Sequence, residues 1–232
     1  MSGLIQVVIA LFVAVPLLIW SYIRATRRRK MLQEWAISED LSYQHYKDRR
    51  LDDSYPHFQC LRQGHSRYAY NHIRGSWQAL DFYAFDYRYV TGYGKHQQTH
   101  RFSAVMIESP IPLKDLLIRT EHIGDRVAQF FGADDIDFES IEFSEKYFVK
   151  ASEKRWAFDV LHQRTIEFML KWPTFNLQFD HSHVIAWRNK LFEPRDFQDA
   201  ADLINGVLER MPGYLTKTDP VLKKPTRGRL RL

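Results

Sequence analysis

The 232-residue chain contains one cysteine, Cys60. A single thiol allows no intrachain disulfide and no cysteine-based zinc site, and it fits a reducing cytosol. Glycine and proline are also scarce, at 10 and 9, against 16 Phe, 12 Tyr and 6 Trp. A chain so rich in rings and so poor in breakers is folded over most of its length, which excludes general disorder. The sequence has no GxSxG, no HExxH and no GxxxxGKS/T, so the local signs of a nucleophile elbow, a zincin helix and a phosphate-cradling loop are missing. TGYGK, residues 91–95, is too short to cradle a phosphate. There is no internal repeat and no low-complexity tract.

Charge is missing from one long stretch. Leu4 to Ile23 carries none, and Arg24, Arg27, Arg28, Arg29 and Lys30 follow at once. At about 1.5 Å per residue, a helix of this length matches a hydrocarbon core about 30 Å thick. The pattern predicts a transmembrane helix, with Trp20 and Tyr22 at headgroup level and the five basic residues touching anionic lipid headgroups on the cytoplasmic side. The N-terminus is then outside and the remainder inside. A cleaved signal peptide needs a basic start, but MSG has no Lys or Arg. A lipoprotein signal needs a Cys just after the run, and Cys60 lies far downstream. Pro16 is compatible with a membrane helix because a local kink re-satisfies the freed carbonyl.

The formal net charge of +5 is unevenly distributed. Five basic residues lie in 24–30 and six in the tail, at Lys217, Lys223, Lys224, Arg227, Arg229 and Arg231. Setting these aside from the 33 Lys and Arg, and Asp219 from the 28 acidic residues, leaves 22 basic against 27 acidic. The part between is acidic, which argues against nucleic acid as a partner and for two basic ends lying near anionic lipid.

Met31–Asp40 continues as a helix, with Leu32, Trp35 and Ala36 at i, i+3 and i+4. Lys47–Phe58 reads as a polar loop. Strands are predicted over Arg67–Ile73, Trp77–Val90 and Gln98–Glu108, with turns at Gly75 and at Thr91–Lys95. Within the second strand, Tyr83, Phe85, Tyr87 and Tyr89 share one face and Leu80, Phe82 and Ala84 the other; in the third, Phe102, Ala104 and Met106 oppose Ser103, Val105 and Ile107. Apolar bulk on both faces places this hairpin centrally in a sheet covered on two sides. A short strand is expected over Leu113–Arg119, a helical piece around Asp125–Phe131, and a short acidic loop and strands over GADDIDFES and FSEKYFVKA. Ser152 opens a helical region through Trp172, as one helix or two. Phe175, Leu177 and Phe179 then form a second hairpin with Val184–Trp187. The final helix carries Phe197, Ala200, Ala201, Ile204, Val207, Leu208 and Met211 as one stripe, with Pro194 in its first turn. The fold class is α+β: an N-terminal transmembrane helix, then one soluble domain with a mainly antiparallel sheet covered by helices. The segments are 1–30 as anchor and basic stop-transfer, 31–214 as cytoplasmic domain, and 215–232 as a mobile basic tail.

GSWQALDFYAFDYRYVTGYGK, DDIDFES and FSEKYFVKA, placed after an anchor and a basic stop, resemble a family of uncharacterised bacterial single-pass membrane-anchored proteins. In that family an FDYxY strand precedes a glycine turn, a DIDFE-like segment and an FSxxYxV segment. The resemblance covers most of residues 30–210 and implies a bacterial inner-membrane protein; it brings no catalytic residues.

Side-chain chemistry offers a few clusters. Asp180, His181 and His183 are metal-ligand types at close spacing, although a polar hairpin turn accounts for them as well. His96 and His100 have i, i+4 spacing but follow glycines that make a loop. Asp134, Asp135, Asp137 and Glu139 lack the glycine and distal glutamate of a calcium loop and read as a solvated turn. Cys60, near His57 and His65, reads as an inert thiol. The ring face Tyr83 to Tyr89 can stack bases in principle, but a two-sided sheet needs it for its core. No cofactor and no metal are expected. The reading is a membrane-tethered interaction or accessory domain whose partners are the lipid bilayer and a membrane protein. The alternatives are an enzyme assembled from scattered residues (His57, His72, His100, His181 or His183 with a carboxylate) and nucleic-acid binding through the tail.

Overall fold

The computed structural model describes residues 2–120, 136 and 138–216, with the side chains of 2–11, 13 and 216 outside that description. The helical piece at Asp125–Phe131, the acidic residues Asp134, Asp135 and Asp137, and the tail 217–232 lie outside the described residues. So do the side chains of 4–11 and 13 in the Leu4–Ile23 run.

Helix α1 spans Ser2–Ser38. Among the described residues no helix is long and apolar enough to cross a membrane. This finding overturns the expected transmembrane span and the single-pass placement in a bacterial inner membrane with the N-terminus outside and the domain cytoplasmic. The helix then runs without a break through the basic cluster into the core, where Leu32, Trp35 and Ala36 are buried. Trp35 stacks on Phe197 at 5.3 Å between ring centroids.

The chain continues as β1 (Ser42–Gln44), α2 (Leu51–Ser54), a 3-10 turn (Gln59–Leu61), β2 (His65–Trp77), β3 (Leu80–Thr91), β4 (Gln98–Glu108) and β5 (Leu116–Thr120). Then come α3 (Ile141–Lys146), β6 (Tyr147–Ala151), α4 (Lys154–Val160), α5 (Gln163–Met169), β7 (Asn176–Asp180), β8 (His183–Arg188), α6 (Pro194–Glu209) and α7 (Gly213–Thr216). The eight strands form one antiparallel sheet in the order β1-β2-β3-β4-β8-β7-β5-β6. An α+β domain with a helix-covered antiparallel sheet is therefore what the chain forms.

Side-chain alternation divides the core into two layers. Phe82, Ala84, Val105, Ile107, Leu116, Ile118, Leu177, Phe179, Val184 and Ala186 face α1 and α6. Tyr83, Phe85, Tyr87, Tyr89, Phe102, Ala104, Met106, Ile185 and Trp187 face the other way. Among the described residues no long helix covers this second face; Leu51, Phe58, Cys60 and Leu61 do. The segment expected to be a polar loop thus supplies the lid of the second layer, and the Tyr87 hydroxyl donates to the Leu61 carbonyl at 2.7 Å.

Several local expectations shift. Gly75 does not turn the chain; β2 runs through it to Trp77, and the turn is at Gln78 and Ala79, both with left-handed φ (49° and 67°). Two such residues are what a tight two-residue hairpin needs. Here α6 holds them: Asp202 accepts from Trp77 Nε1 and Gln78 Nε2, and Asn205 Nδ2 donates to Gln78 Oε1. Gly75 instead answers a close approach, since a Cβ there would meet the Leu41 side chain at 2.5 Å. FSEKYFVKA opens inside α3, whose N-cap Ser140 accepts from the Phe143 N–H, and only its second half is a strand. Residues 152–172 resolve into two helices, with Glu153 at the first N-cap and not Ser152. Helix α6 matches its pattern: every residue of the predicted stripe is buried, Pro194 opens it, and Glu193 and Asp196 form a reciprocal capping box.

Candidate functional site

The β7–β8 turn and the strap that crosses it form the most chemically equipped surface of the fold. β7 and β8 pair up to Asp180 opposite His183, leaving His181 and Ser182 as a two-residue turn. The turn is tied to the segment before β5, because Ser109 N–H donates to the Ser182 carbonyl at 2.7 Å and Leu113 N–H to the His181 carbonyl at 2.9 Å. That segment ends in Asp115. Opposite it lies Tyr55–Gln59, clamped by Gln178 from β7: the Gln59 N–H donates to Gln178 Oε1 at 3.0 Å, and Gln178 Nε2 donates to the His57 carbonyl at 2.7 Å.

The two turn histidines go to different places. His181 meets His57 edge-on at 5.8 Å between centroids, and His183 meets Tyr55 edge-on at 5.3 Å. A cleft of about 430 Å³ opens on the His57 side, lined among others by Gln59, Asp115, Lys150 and Gln178. A smaller one of about 230 Å³ opens on the Tyr55 side, lined by Arg74, Asp81, Tyr83, Glu108 and His183. The candidate trio Asp180, His181 and His183 is therefore not the set brought together. Asp115 replaces His183: the ligand atoms of Asp115, Asp180 and His181 lie within 4.8 Å of one another. No sequence signal joins Asp115 to a turn 65 positions later; the pairing of β5 with β7, Leu116 opposite Phe179, and the carbonyl bonds of the turn bring it there.

Electrostatics on the smaller cleft favour neutral imidazole. Burial, opposed by Glu108, Asp180 and Asp81, moves His183 below the usual histidine range. Nearby His72 is pushed down to about 4, chiefly by burial and then by the positive charge of Arg74. Its Nδ1 pairs with the Tyr83 hydroxyl at 2.7 Å, and Tyr46 stacks on it at 4.0 Å. Arg74 lies over the Tyr83 ring at 3.6 Å.

The remaining candidates separate. His100 stacks on Tyr89 and its Nε2 pairs with Thr91 Oγ1 at 2.7 Å, while His96 sits in the 3-10 turn Gly94–His96. Cys60 is buried, and burial pushes its thiol pKa upward. His65 stacks on Tyr93 instead of facing that thiol. The rings Tyr83, Phe85, Tyr87 and Tyr89 are core. Of the predicted lipid contacts, Arg24, Arg27, Arg29 and Lys30 are exposed, with Arg24 over the Trp20 ring and Lys30 near Glu34. Arg28 points inward to Asp86, Ser103 and the Phe192 carbonyl, a buried pair that the sequence reading missed. An acidic residue in the middle of an otherwise apolar strand face, Phe82-Ala84-Asp86, was the available signal.

No protein-family model matches the chain. No curated protein matches it either. Among solved structures, the crystal structure of the mycobacterial trehalose monomycolate transport factor A, TtfA, superposes with a TM-score of 0.58 at 11% sequence identity, covering 79% of this chain and 96% of that one. At that identity the likeness shows a shared fold.

Proposed function

We propose that the chain is an interaction or accessory domain that docks a protein partner along the free part of α1. The observation that carries this reading is a run of exposed apolar side chains ahead of the domain: Phe12, Leu17, Leu18, Ile19, Trp20 and Tyr22 are all more than half exposed, Phe12 at 82%. Contiguous apolar surface of this kind marks a contact site. The same helix follows it with exposed Arg24, Arg27 and Arg29. The complementary partner is a protein segment with an apolar face that ends in acidic residues, since opposite charge at the rim sets register and orientation. The shared fold with a transport factor supports an accessory role in a transport process.

A photo-reactive residue placed at Leu18 or Trp20 of the full-length chain tests this, with Tyr93, exposed on a distant turn, as control. One specific crosslinked protein at both α1 positions, weakened by Arg27→Glu with Arg29→Glu, is expected. Products no more abundant than at Tyr93, or insensitive to the charge reversal, overturn the reading.

A further inference from the structure

We infer that the sheet face at the foot of α1 seats the acidic end of the partner, a run of Asp or Glu that lies across Arg24, Lys47, Arg88 and Arg101. The inference rests on the docking reading of α1 and fixes the polarity of that contact. β3 and β4 set two arginines directly opposite one another, Arg88 and Arg101. Like charges so paired oppose sheet formation. Among the described residues Arg88 donates only to neutral acceptors, the Ser66 carbonyl at 3.5 Å and Thr99 Oγ1 at 3.3 Å. Its guanidinium lies over the Tyr68 ring at 5.5 Å, and Lys47 lies over the same ring at 5.2 Å. Tyr68 meets Tyr70 at 5.7 Å between centroids. Burial and Asp86 raise the Tyr70 pKa against Arg101 and Arg28, so Arg101 stands beside Tyr70 on this face.

Helix geometry brings α1 to the same place. Arg28 donates to Asp86 and Ser103, which are paired across β3 and β4. Farther along the chain, Ser42 pairs with Arg74 and Arg74 with Tyr83. From Arg28 onward α1 therefore runs toward the start of β3, and the turn ahead of Arg28 extends the other way. Arg24 lies one turn ahead, about 5.4 Å along the axis. Arg88 and Arg101 lie two residues from Asp86 and Ser103 on the same face, about 6.6 Å along their strands. Arg24 is thus level with the opposed arginines, and exposed Leu18, Trp20 and Tyr22 lie immediately beyond.

The carboxylates near this face are already engaged. Asp86 is wholly buried and accepts from Arg28, Asn71 and Ser103. Glu193, whose charge reaches Arg28, accepts from the backbone as the cap of α6. Asp48, next to Lys47, acts on the opposite face, where its charge reaches His72 and Tyr83. Among the described residues none of Arg24, Lys47, Arg88 and Arg101 has an ion-pair partner. The positive strip continues the line of α1 onto two strands, the shape that a single protein segment follows. Its complement is a segment that brings carboxylates where its apolar part ends.

Two synthetic peptides test this on the full-length chain by fluorescence anisotropy, at low and at physiological salt. One is a leucine-faced helix that ends in a run of Glu, and its twin ends in Gln. The Glu peptide is expected to bind at least about tenfold more tightly, a preference that narrows with salt and disappears in Arg88→Glu with Arg101→Glu. Arg101→Gln, at an exposed position, should remove part of the preference, and Lys171→Glu, exposed beyond α5, none. Circular dichroism verifies the fold of each variant, and Arg101→Gln alone decides if the double reversal does not fold. Equal binding of the two peptides that is lost in Leu18→Ser with Trp20→Ser overturns this inference and keeps α1 as the docking element. A Glu preference that survives the reversal overturns it too, since the carboxylates then sit elsewhere. Binding of neither peptide overturns both readings. Phosphatidylglycerol vesicles bound through Arg88 and Arg101, with no preference between the peptides, overturn the inference in favour of a lipid headgroup.

Discussion

Arg28 donates from Nε and Nη2 to the two oxygens of Asp86, at 2.8 and 2.7 Å, and Asp86 is wholly buried under α1. Asn71 and Ser103 also donate to that carboxylate, and the Arg28 Nη1 reaches the Phe192 carbonyl at 2.8 Å. Burial lowers the guanidinium pKa, but the hydrogen bonds and charge of Asp86 outweigh it, and the net displacement is upward. The pair joins the N-terminal helix, the middle of the sheet and the approach to α6. Removing one partner leaves an uncompensated charge, at a cost of about 3–5 kcal/mol. Arg28→Met is expected to lower the urea-unfolding free energy by that amount, and Arg28→Met with Asp86→Leu by less than the sum of the singles. A loss below about 0.5 kcal/mol for Arg28→Met rejects the pair as the clasp of α1.

The strap over the second sheet face depends on one side chain. Gln178→Leu removes both bonds to His57 and Gln59 and leaves a part-buried carbonyl and N–H without that partner, for about 0.5–1.5 kcal/mol. Amide exchange in residues 57–61 should accelerate while that of α6 stays slow. Unchanged exchange in the strap means that Phe58 and Leu61 hold it alone.

Stability should fall as the medium is acidified, with a defined sign. His72 has its folded pKa lowered from 6.5 to about 4, so the unfolded chain takes up the proton first. Its contribution is complete above about pH 6.5 and declines as pH falls toward 4, by up to about 3 kcal/mol. His183 is displaced the same way. Arg74 and His45 oppose the charged imidazole, while Asp48 and the Tyr46 backbone favour it. Urea midpoints compared between about pH 7.5 and about pH 4.5 should show a smaller drop in His72→Gln than in the wild type. Equal drops assign the effect to other groups.

Gly206 lets α5 lie against α6, for a Cβ there would collide with the Phe168 ring. Gly206→Ala should destabilise the chain by about 1–3 kcal/mol despite its better helix propensity. Phe168→Ala should recover part of that loss in the double variant. A stabilised Gly206→Ala means that the ring moves aside freely.

Cys60 should not react with a thiol reagent in the native state and should react fully in denaturant, because it is buried and its thiolate is disfavoured. Rapid native labelling at neutral pH refutes the lid described for the second sheet face.

Periodicity alone determined the elements whose residues report on themselves. The stripe from Phe197 to Met211, the alternation in β3 and β4 and the 175–187 hairpin were legible because burial repeats every 3.6 or 2 residues. The doubly apolar hairpin likewise implied a sheet covered on both sides. Local composition could not show what did the covering, since Leu51, Phe58, Cys60 and Leu61 are spaced irregularly among polar residues. Nor could it show that the helix carrying the uncharged run continues unbroken into the core, where Arg28 pairs with Asp86 and Leu32 and Trp35 are buried. The candidate site was half legible. Asp180 and His181 are adjacent in sequence, but alternation at a two-residue turn sends His183 into another cleft, and Asp115 arrives through backbone bonds to the turn. Contacts between distant residues carry no period of their own, and the tertiary structure decided each of them.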